Sequence, residues 1–120
     1  MRIGVSASAP TVDDIVEQAV QAEAAGLTSL WFASGGTAGD PLVAMALAGR
    51  ATSTLELATG VLQTYPSHPV LMAERVASVV NAVGRPVTIG IGPSHAALVE
   101  WAYGMSYDHP GRHTEEYLTI

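Results

Sequence analysis

The chain has 120 residues, a formal net charge of −6 and no cysteine, and all five of its basic residues are arginines. The absence of cysteine excludes disulfides, thiolate catalysis and zinc–thiolate sites and fits a reducing compartment, while an acidic chain without a basic patch disfavours nucleic-acid binding. There is neither a signal-peptide pattern nor a run of about 20 apolar residues, so we expect a cytoplasmic chain that binds neither membrane nor nucleic acid.

The first unit along the chain is a strand followed by an amphipathic helix. Residues 2–6 are predicted to form a short strand. Thr11 can cap the helix that follows, and Gly26 is expected to end it. The apolar residues expected to form the buried face of this helix are Val12, Ile15, Val16, Ala19 and Ala22.

The second unit has the same order. Residues 29–33 are predicted to form a strand, and residues 34–39 contain too many glycines for regular structure. Asp40 followed by Pro41 is typical of a helix start, because aspartate caps the first turn and proline suits the first helical position. We predict a helix from there to about residue 51.

The third unit contains the most informative stretch of the sequence. Residues 57–62 have the length and apolarity of a buried parallel strand, but Gly60 interrupts them. A glycine inside a strand marks a bulge or a close approach to the backbone. After a polar loop at 63–67, His68 and Pro69 start a helix that Gly84 ends. Its predicted buried face consists of Val70, Ala73, Val76, Ala77, Val80 and Val83.

The last units are shorter. Residues 86–92 are predicted to form a fourth strand, Ser94 is expected to cap a helix over 95–103, and residues 104–111 are predicted to form a loop before a helix from about Arg112. Four βα units with short connections predict an α/β fold with a parallel sheet and right-handed crossovers.

Small and large side chains alternate in the first and fourth predicted strands. Gly4, Gly90 and Gly92 share one face with other small residues, while branched apolar residues occupy the opposite face. Such a face can leave room for a flat ligand at the carboxyl ends of the strands, where ligand sites of these folds lie. The alternative interpretation is that neighbouring strands simply pack closely there.

Two histidines among the residues that follow the strands can titrate near neutral pH, His68 and His95. Either could exchange a proton beside a bound ring system, or it could simply cap or pack at a helix start. His109 and His113 have the spacing of two metal ligands on one helix face, but Pro110 and Gly111 lie between them and argue against a helix there. We therefore expect no metal site.

Several stretches of the sequence resemble one known family. They are TGVLQTYPSHPVLMAERVASV at 59–79, MRIGV at 1–5, AEAAG at 22–26, SLWFA at 29–33, GIGPSH at 90–95 and YDHPGRHTEEY at 107–117. Their order is similar to that of the N-terminal part of the bacterial-luciferase-like superfamily, in particular its oxidoreductases that use the deazaflavin coenzyme F420.

This resemblance implies a partial (β/α)₈ TIM barrel, in which residues 1–120 form a single domain that makes up the N-terminal half. A complete barrel needs about 250 residues, and the sequence ends on an apparent helix, so we expect a C-terminal truncation. An incomplete barrel is expected to form a homodimer or to associate with a second barrel half.

The resemblance also implies a reaction, hydride transfer between coenzyme F420 and a small organic substrate. The alternatives are an FMN-dependent monooxygenase and a non-catalytic remnant. Gly60 and Val61 match the family's bulge with a non-proline cis peptide behind the cofactor ring, an ordinary trans bulge being the alternative. The residues that match the family's cofactor pocket are Gly60, Val61 and Ser94, with Ser34 and Thr64 as weaker candidates, and His95 is the catalytic candidate.

Overall fold

The computed structural model describes residues 1–36 and 38–120. Strands and helices alternate along this part of the chain, except that β3 is followed directly by β4 and α4 by α5. In chain order they are β1 (Gly4–Ser6), α1 (Val12–Ala24), β2 (Ser29–Phe32), α2 (Pro41–Ala51), β3 (Glu56–Thr59), β4 (Leu62–Gln63), α3 (Pro69–Val83), β5 (Ile91–Gly92), α4 (Ala96–Tyr103) and α5 (Pro110–Thr119).

All strand pairs in the described residues are parallel. β1, β2 and β3 form one sheet in chain order, with Leu30 of β2 opposite Leu57 of β3. β4 and β5 form a second pair, and a single bridge between Ala58 and Thr88 links the two. The predicted α/β fold with parallel strands is therefore confirmed.

The hydrophobic core lies between the three-stranded sheet and the helices. Alternation along β2 places Leu30 and Phe32 in this core, at 0% and 1% exposure, whereas Trp31 between them is 41% exposed. Leu30 and Phe32 therefore lie on the helix side of the sheet and Trp31 on its open side. The helical residues that complete the core are Ile15, Ala19, Ala22, Leu42, Ala44, Met45, Ala48, Met72, Val79 and Tyr117. Within residues 1–36 and 38–120 no helix is long and apolar enough to cross a bilayer.

Three predicted helix starts are confirmed by their capping hydrogen bonds. The Thr11 hydroxyl accepts from the Asp14 amide at 3.1 Å, and Asp40 Oδ1 accepts from the Leu42 amide at 2.9 Å. His68 Nδ1 accepts from the Val70 amide at 3.3 Å. Each side chain satisfies one amide that the first helical turn leaves without a partner.

The third predicted strand is not continuous. β3 ends at Thr59 and β4 begins at Leu62, and the peptide bond between Gly60 and Val61 is cis, as the resemblance implies. Both parts hydrogen-bond to residues 88–92, since the Thr59 amide donates to the Thr88 carbonyl and the Leu62 amide donates to the Gly90 carbonyl. β3 pairs with β2, whereas β4 pairs with β5.

The predicted buried face of α3 was largely wrong. Val70 and Val80 are exposed at 52% and 38%, whereas Met72 and Val79 are buried and Val76 packs against the core. Apolar residues occur nearly all round this helix, so their spacing did not determine which side faces inward. Packing of α3 against α2 selects the face that carries Met72 and Val79.

The C-terminal region differs from the prediction in three places. The predicted fourth strand is reduced to a bridge at Thr88 and the two residues of β5. The N-cap of α4 is His95 rather than Ser94. Helix α5 begins at Pro110, two residues earlier than predicted. Proline is tolerated there because the amide it lacks would have no partner in the first turn.

Two charged side chains hold the segment between α2 and β3. Glu23 Oε1 accepts hydrogen bonds from the amides of Ser53, Thr54 and Leu55 at 2.9, 2.6 and 2.9 Å. These bonds, that of Thr54 foremost, lower the pKa of Glu23 to about 2 despite an opposing effect of burial. Arg85, just beyond α3, donates to three carbonyl groups that belong to Gly49, Thr52 and Leu55.

We predict that Glu23→Gln lowers the free energy of unfolding at pH 7 by about 1–3 kcal/mol, because the amides lose a charged acceptor. Since folding lowers the pKa of Glu23 from 4.5 to about 2, its stabilising effect is complete above pH 4.5 and disappears as the pH falls toward 2. Urea unfolding of both proteins between pH 7 and pH 3 measures this difference.

The matched control is Glu17→Gln, since Glu17 lies on the same helix and, within the described residues, its carboxylate accepts only from the Gln21 side chain. We expect little change in that variant. Equal losses in both variants, or a loss for Glu23→Gln that does not shrink with falling pH, would contradict the role of Glu23.

Candidate functional site

An exposed apolar surface lies on the open side of the sheet. It consists of Trp31 from β2 together with Gly60 and Val61 between β3 and β4, and we call it the Trp31 platform. Trp31 is 41% and Val61 39% exposed. A Cβ atom added at Gly60 would lie 3.3 Å from Cε3 of the Trp31 ring. The indole therefore lies directly beside the glycine.

Backbone hydrogen bonds fix the platform to β2 and to Ser34, two residues beyond the end of that strand. The Gly60 amide donates to the Phe32 carbonyl at 2.7 Å, and the Val61 carbonyl accepts from the Ser34 amide at 3.1 Å. Trp31 Nε1 donates to the Ser29 hydroxyl at 3.0 Å. The platform is thus held in one arrangement before any ligand arrives.

The glycines that suggested an empty pocket are instead close to neighbouring atoms. A Cβ at Gly4 would lie 2.2 Å from the Ser29 hydroxyl, and one at Gly90 would lie 2.4 Å from the Thr59 carbonyl oxygen. At Gly92 the nearest atom is Cγ2 of Val61, at 3.1 Å. Close packing between strands, the alternative interpretation, is therefore what the structure shows at these glycines.

Ser34 hydrogen-bonds to the platform through its amide, whereas Thr64 lies in the loop after β4. Ser34 is partly buried, and its hydroxyl accepts from the Gln63 amide at 3.3 Å. Thr64 is only 1% exposed, and its hydroxyl is 2.9 Å from Nε2 of His113. Ser34 is therefore accessible to a ligand on the platform, whereas Thr64 holds α5 against the loop after β4.

Ser94 and His95 follow β5, and β4 pairs with β5 so that Gln63 lies opposite Gly92. Ser94 has a positive φ of 65°, and its carbonyl accepts from the Tyr107 hydroxyl at 2.6 Å. The imidazole of the exposed His95 makes no capping bond to α4, and its Nδ1 is 3.5 Å from the Ser94 hydroxyl. Its imidazole is therefore not needed to start the helix.

The other three histidines lie at a helix start or within α5. His68 caps α3, His109 is the N-cap of α5, and His113 packs within α5 against the loop after β4. The segment from Pro110 to His113 is helical, so the reason given from the sequence against a metal site was wrong. Among the described residues, no group of three or more histidine, aspartate or glutamate side chains is placed to hold a metal ion.

An aromatic cluster connects α5 with the loops after β4 and α4. The ring of Tyr65 stacks on His113 at a centroid distance of 4.0 Å and on Tyr107 at 5.5 Å. Burial, with smaller contributions from Tyr107 and Asp108, raises the pKa of Tyr65. The Tyr117 hydroxyl donates to the Ser67 carbonyl at 2.9 Å, so this cluster fixes the position of α5.

Sequence reasoning missed two residues near the site. Trp31 was not among the candidates, although the alternation of Leu30 and Phe32 on the opposite face places it on the open side of the sheet. Tyr103, at the end of α4, donates to Gln63 Oε1 at 2.5 Å. No local pattern in the sequence indicates this second contact, because 40 residues separate the partners.

The chain matches one protein family over its whole length. The model of the luciferase-like monooxygenase family matches residues 1–120. The chain belongs to this family. No curated protein sequence matches the chain.

Solved structures of luciferase-like proteins share the fold of this chain. The monooxygenase RslO1 from Streptomyces bottropensis is 20% identical, with a TM-score of 0.81 over 99% of this chain and 41% of its own. The coenzyme F420-dependent tetrahydromethanopterin reductase from Methanopyrus kandleri is 22% identical, with a TM-score of 0.77 over 88% of this chain and 30% of its own.

A third structure is that of the oxygenating constituent of 3,6-diketocamphane monooxygenase from Pseudomonas putida, in complex with FMN. It is 18% identical, with a TM-score of 0.85 over 100% of this chain and 39% of its own. This luciferase-like chain therefore spans between 30% and 41% of the length of these three structures. At such identities the likeness shows the fold alone.

Proposed function

We propose that this chain is part of an oxidoreductase that transfers hydride between the deazaflavin coenzyme F420 and a small organic substrate. Membership in the luciferase-like monooxygenase family supports the reaction class. The tetrahydromethanopterin reductase and an F420-dependent secondary alcohol dehydrogenase in complex with an F420–acetone adduct, 21% identical with a TM-score of 0.74, support the choice of coenzyme.

The Trp31 platform is the observation that carries this proposal. A planar ring system needs an apolar surface that is flat, rigid and reachable from solvent. Trp31 and Val61 are half-exposed, and Gly60 between them has no side chain to stand above that surface. Backbone bonds to Phe32 and Ser34 keep it in place.

The residues of the chain have distinct parts in this proposal. Gly60 and Val61 support the ring, and the Ser34 and Ser94 hydroxyls are the candidate hydrogen-bond partners for its polar atoms. Thr64 acts through the position of its loop, since its hydroxyl already contacts His113. His95 moves a proton at the substrate. When bound, the coenzyme would donate or accept the hydride, while the protein orients the reactants and excludes water.

An FMN-dependent monooxygenase is the second candidate, supported by the FMN complex with a TM-score of 0.85. Titration of the purified chain with coenzyme F420 and with FMN, followed by the fluorescence of each ring, tests both functions. Saturable binding of F420 alone supports hydride transfer, and binding of FMN alone supports the monooxygenase. Binding of neither contradicts both and leaves a chain that only folds or associates.

We predict that Gly60→Val abolishes cofactor binding in any assembly that binds. The valine would add two methyl groups beyond a Cβ that already lies 3.3 Å from Trp31, and they would occupy the face on which the ring lies. The fluorescence titration measures the loss, and circular dichroism shows whether the variant is folded. Gly60→Ala, which adds only the Cβ, covers the case in which valine prevents folding, and should weaken binding less.

Gly111→Val is the matched control for this experiment. A Cβ at Gly111 would meet no other atom within 4 Å, and the residue lies in α5 outside the platform. We expect its binding to equal that of the unchanged chain. Undiminished affinity in Gly60→Val would show that the ring does not pack on the platform.

We predict that His95→Ala lowers hydride transfer by about 10²-fold or more while the fold persists, as for the loss of a general acid or base. The fold should persist because the His95 imidazole makes no capping bond. His109→Ala is the control, since His109 is also an N-cap whose side chain makes no capping bond. Stopped-flow absorbance of the coenzyme measures the rate, and full activity of His95→Ala would leave it a structural residue.

We also propose a partner for this chain, a second copy of itself or a second barrel half. In the described residues β1 and β5 each pair with a single strand, and unpaired edges favour association with another chain. The open side of the sheet exposes Trp31 and Val61. A two-fold homodimer would cover both features through the same surface on each copy.

We predict that the purified chain has a mass above its 12.4 kDa monomer in light scattering at low micromolar concentration. Covering several hundred Å² of apolar surface at about 25 cal/mol per Å² contributes several kcal/mol, similar to the stability of a whole domain. Unfolding should therefore depend on protein concentration. A monomer whose unfolding midpoint is independent of concentration would contradict this proposal.

A further inference from the structure

The turn between β5 and α4 contains both Ser94 and His95, and its backbone conformation needs support from elsewhere in the chain. Ser94 has a φ of 65°, a left-handed conformation that residues other than glycine adopt only at an energetic cost. Such a conformation persists where surrounding contacts hold it. Because His95 is the next residue, the contacts that hold Ser94 also determine where the imidazole lies.

Tyr107 supplies such a contact. Its hydroxyl donates to the Ser94 carbonyl at 2.6 Å from the loop between α4 and α5. Among the described residues, it is the one group that hydrogen-bonds to the Ser94 backbone. Within the turn itself, the Ser94 hydroxyl is 3.5 Å from His95 Nδ1, a distance at which a hydrogen bond is weak. The bond from Tyr107 is therefore the stronger contact on this turn.

Tyr107 is itself held by the aromatic cluster. Its ring stacks on Tyr65 at a centroid distance of 5.5 Å, and Tyr65 stacks on His113 of α5 at 4.0 Å. His113 Nε2 lies 2.9 Å from the buried Thr64 hydroxyl. Tyr107 therefore connects the turn before α4 to α5 and to the loop after β4.

The turn also begins beside the Trp31 platform. Gly92 is the last residue of β5 and lies two residues before Ser94. A Cβ atom added at Gly92 would be 3.1 Å from Cγ2 of Val61, which belongs to the platform. A change in the conformation of Ser94 would therefore move His95 relative to the platform.

We propose that Tyr107 is a positioning residue that holds Ser94 and His95 at the edge of the Trp31 platform. Its hydroxyl proton is already bonded to the Ser94 carbonyl, so Tyr107 acts through His95 rather than on the substrate. The consequence for proton transfer rests on the proposed function. The contact between Tyr107 and the turn does not.

Amide hydrogen exchange of the purified chain without cofactor, followed by NMR, tests the contact. Leu98 and Val99 report on the turn, because both amides donate to the His95 carbonyl at 3.1 Å. Tyr107→Phe removes the hydroxyl and keeps the stacked ring, so we expect the variant to fold. The loss of one hydrogen bond should make these two amides exchange about five- to tenfold faster.

Tyr117→Phe is the matched control for this measurement. It also removes a tyrosine hydroxyl that donates to a backbone carbonyl, that of Ser67 at 2.9 Å, but it leaves the turn before α4 untouched. We expect exchange at Leu98 and Val99 to stay unchanged in this variant. Equal acceleration in both variants would mean a general loosening of the cluster and would overturn the proposal, as would unchanged exchange in Tyr107→Phe.

Hydride transfer from propan-2-ol to coenzyme F420 tests whether Tyr107 acts through His95. Propan-2-ol is a suitable probe because its oxidation yields acetone, the ketone of the adduct in the alcohol dehydrogenase structure. We expect Tyr107→Phe to lower kcat about tenfold without changing KM. The double variant Tyr107→Phe/His95→Ala should be no slower than His95→Ala alone, because residues that act as a unit have non-additive effects.

The two measurements fail in different ways. Losses that multiply in the double variant would show that Tyr107 does not act through His95 and would overturn the positioning role. If the unchanged chain fails to bind coenzyme F420, the proposed function is contradicted. Hydrogen exchange then still decides whether Tyr107 holds the turn, and it also decides this if propan-2-ol is not turned over.

Discussion

The hydrogen bonds of Glu23 and Arg85 to the segment between α2 and β3 are the interaction on which the rest of the structure depends. The Glu23 carboxylate accepts hydrogen bonds from backbone amides, and the Arg85 guanidinium donates to backbone carbonyl groups. Leu55 is therefore held through both its amide and its carbonyl. β3 begins at the next residue, Glu56. Its pairing with β2 then determines where Gly60 and Val61 lie relative to Trp31. Contacts at one end of the sheet thus determine the position of the Trp31 platform at the other end.

Much of this fold could be predicted from the sequence because its signals are local. Thr11, Asp40 and His68 cap the helices expected of them, since a cap depends only on residues within one turn. Gly84 ends α3 with a φ of 72°, a backbone conformation that favours glycine. The strand at 29–33 and the parallel arrangement follow from short apolar runs between helices. The grouping of the site residues after successive strands follows from that arrangement.

What the sequence did not determine depends on contacts between distant residues. The strand predicted at 57–62 divides at Gly60, where the sequence indicated a bulge, but the lengths of β3 and β4 depend on their partners β2 and β5. The inward face of α3 depends on packing against α2, since the helix is apolar on several sides. Thr64 was considered as a cofactor contact, but its hydroxyl contacts His113, which lies 49 residues further along. The polarity of Thr64 indicated a hydrogen bond but not its partner.

The two ends of the sheet satisfy their polar groups to different extents. Before β3, Glu23 and Arg85 supply partners to a run of backbone groups. After β4, the hydroxyls of Tyr65 and Ser67 are buried without a partner in the described residues. The unpaired Ser67 hydroxyl costs about 1–3 kcal/mol, which a domain can tolerate only if it is stabilised elsewhere. The well-bonded end of the sheet therefore permits unpaired groups at the carboxyl ends of the strands, where ligand sites of parallel α/β folds lie.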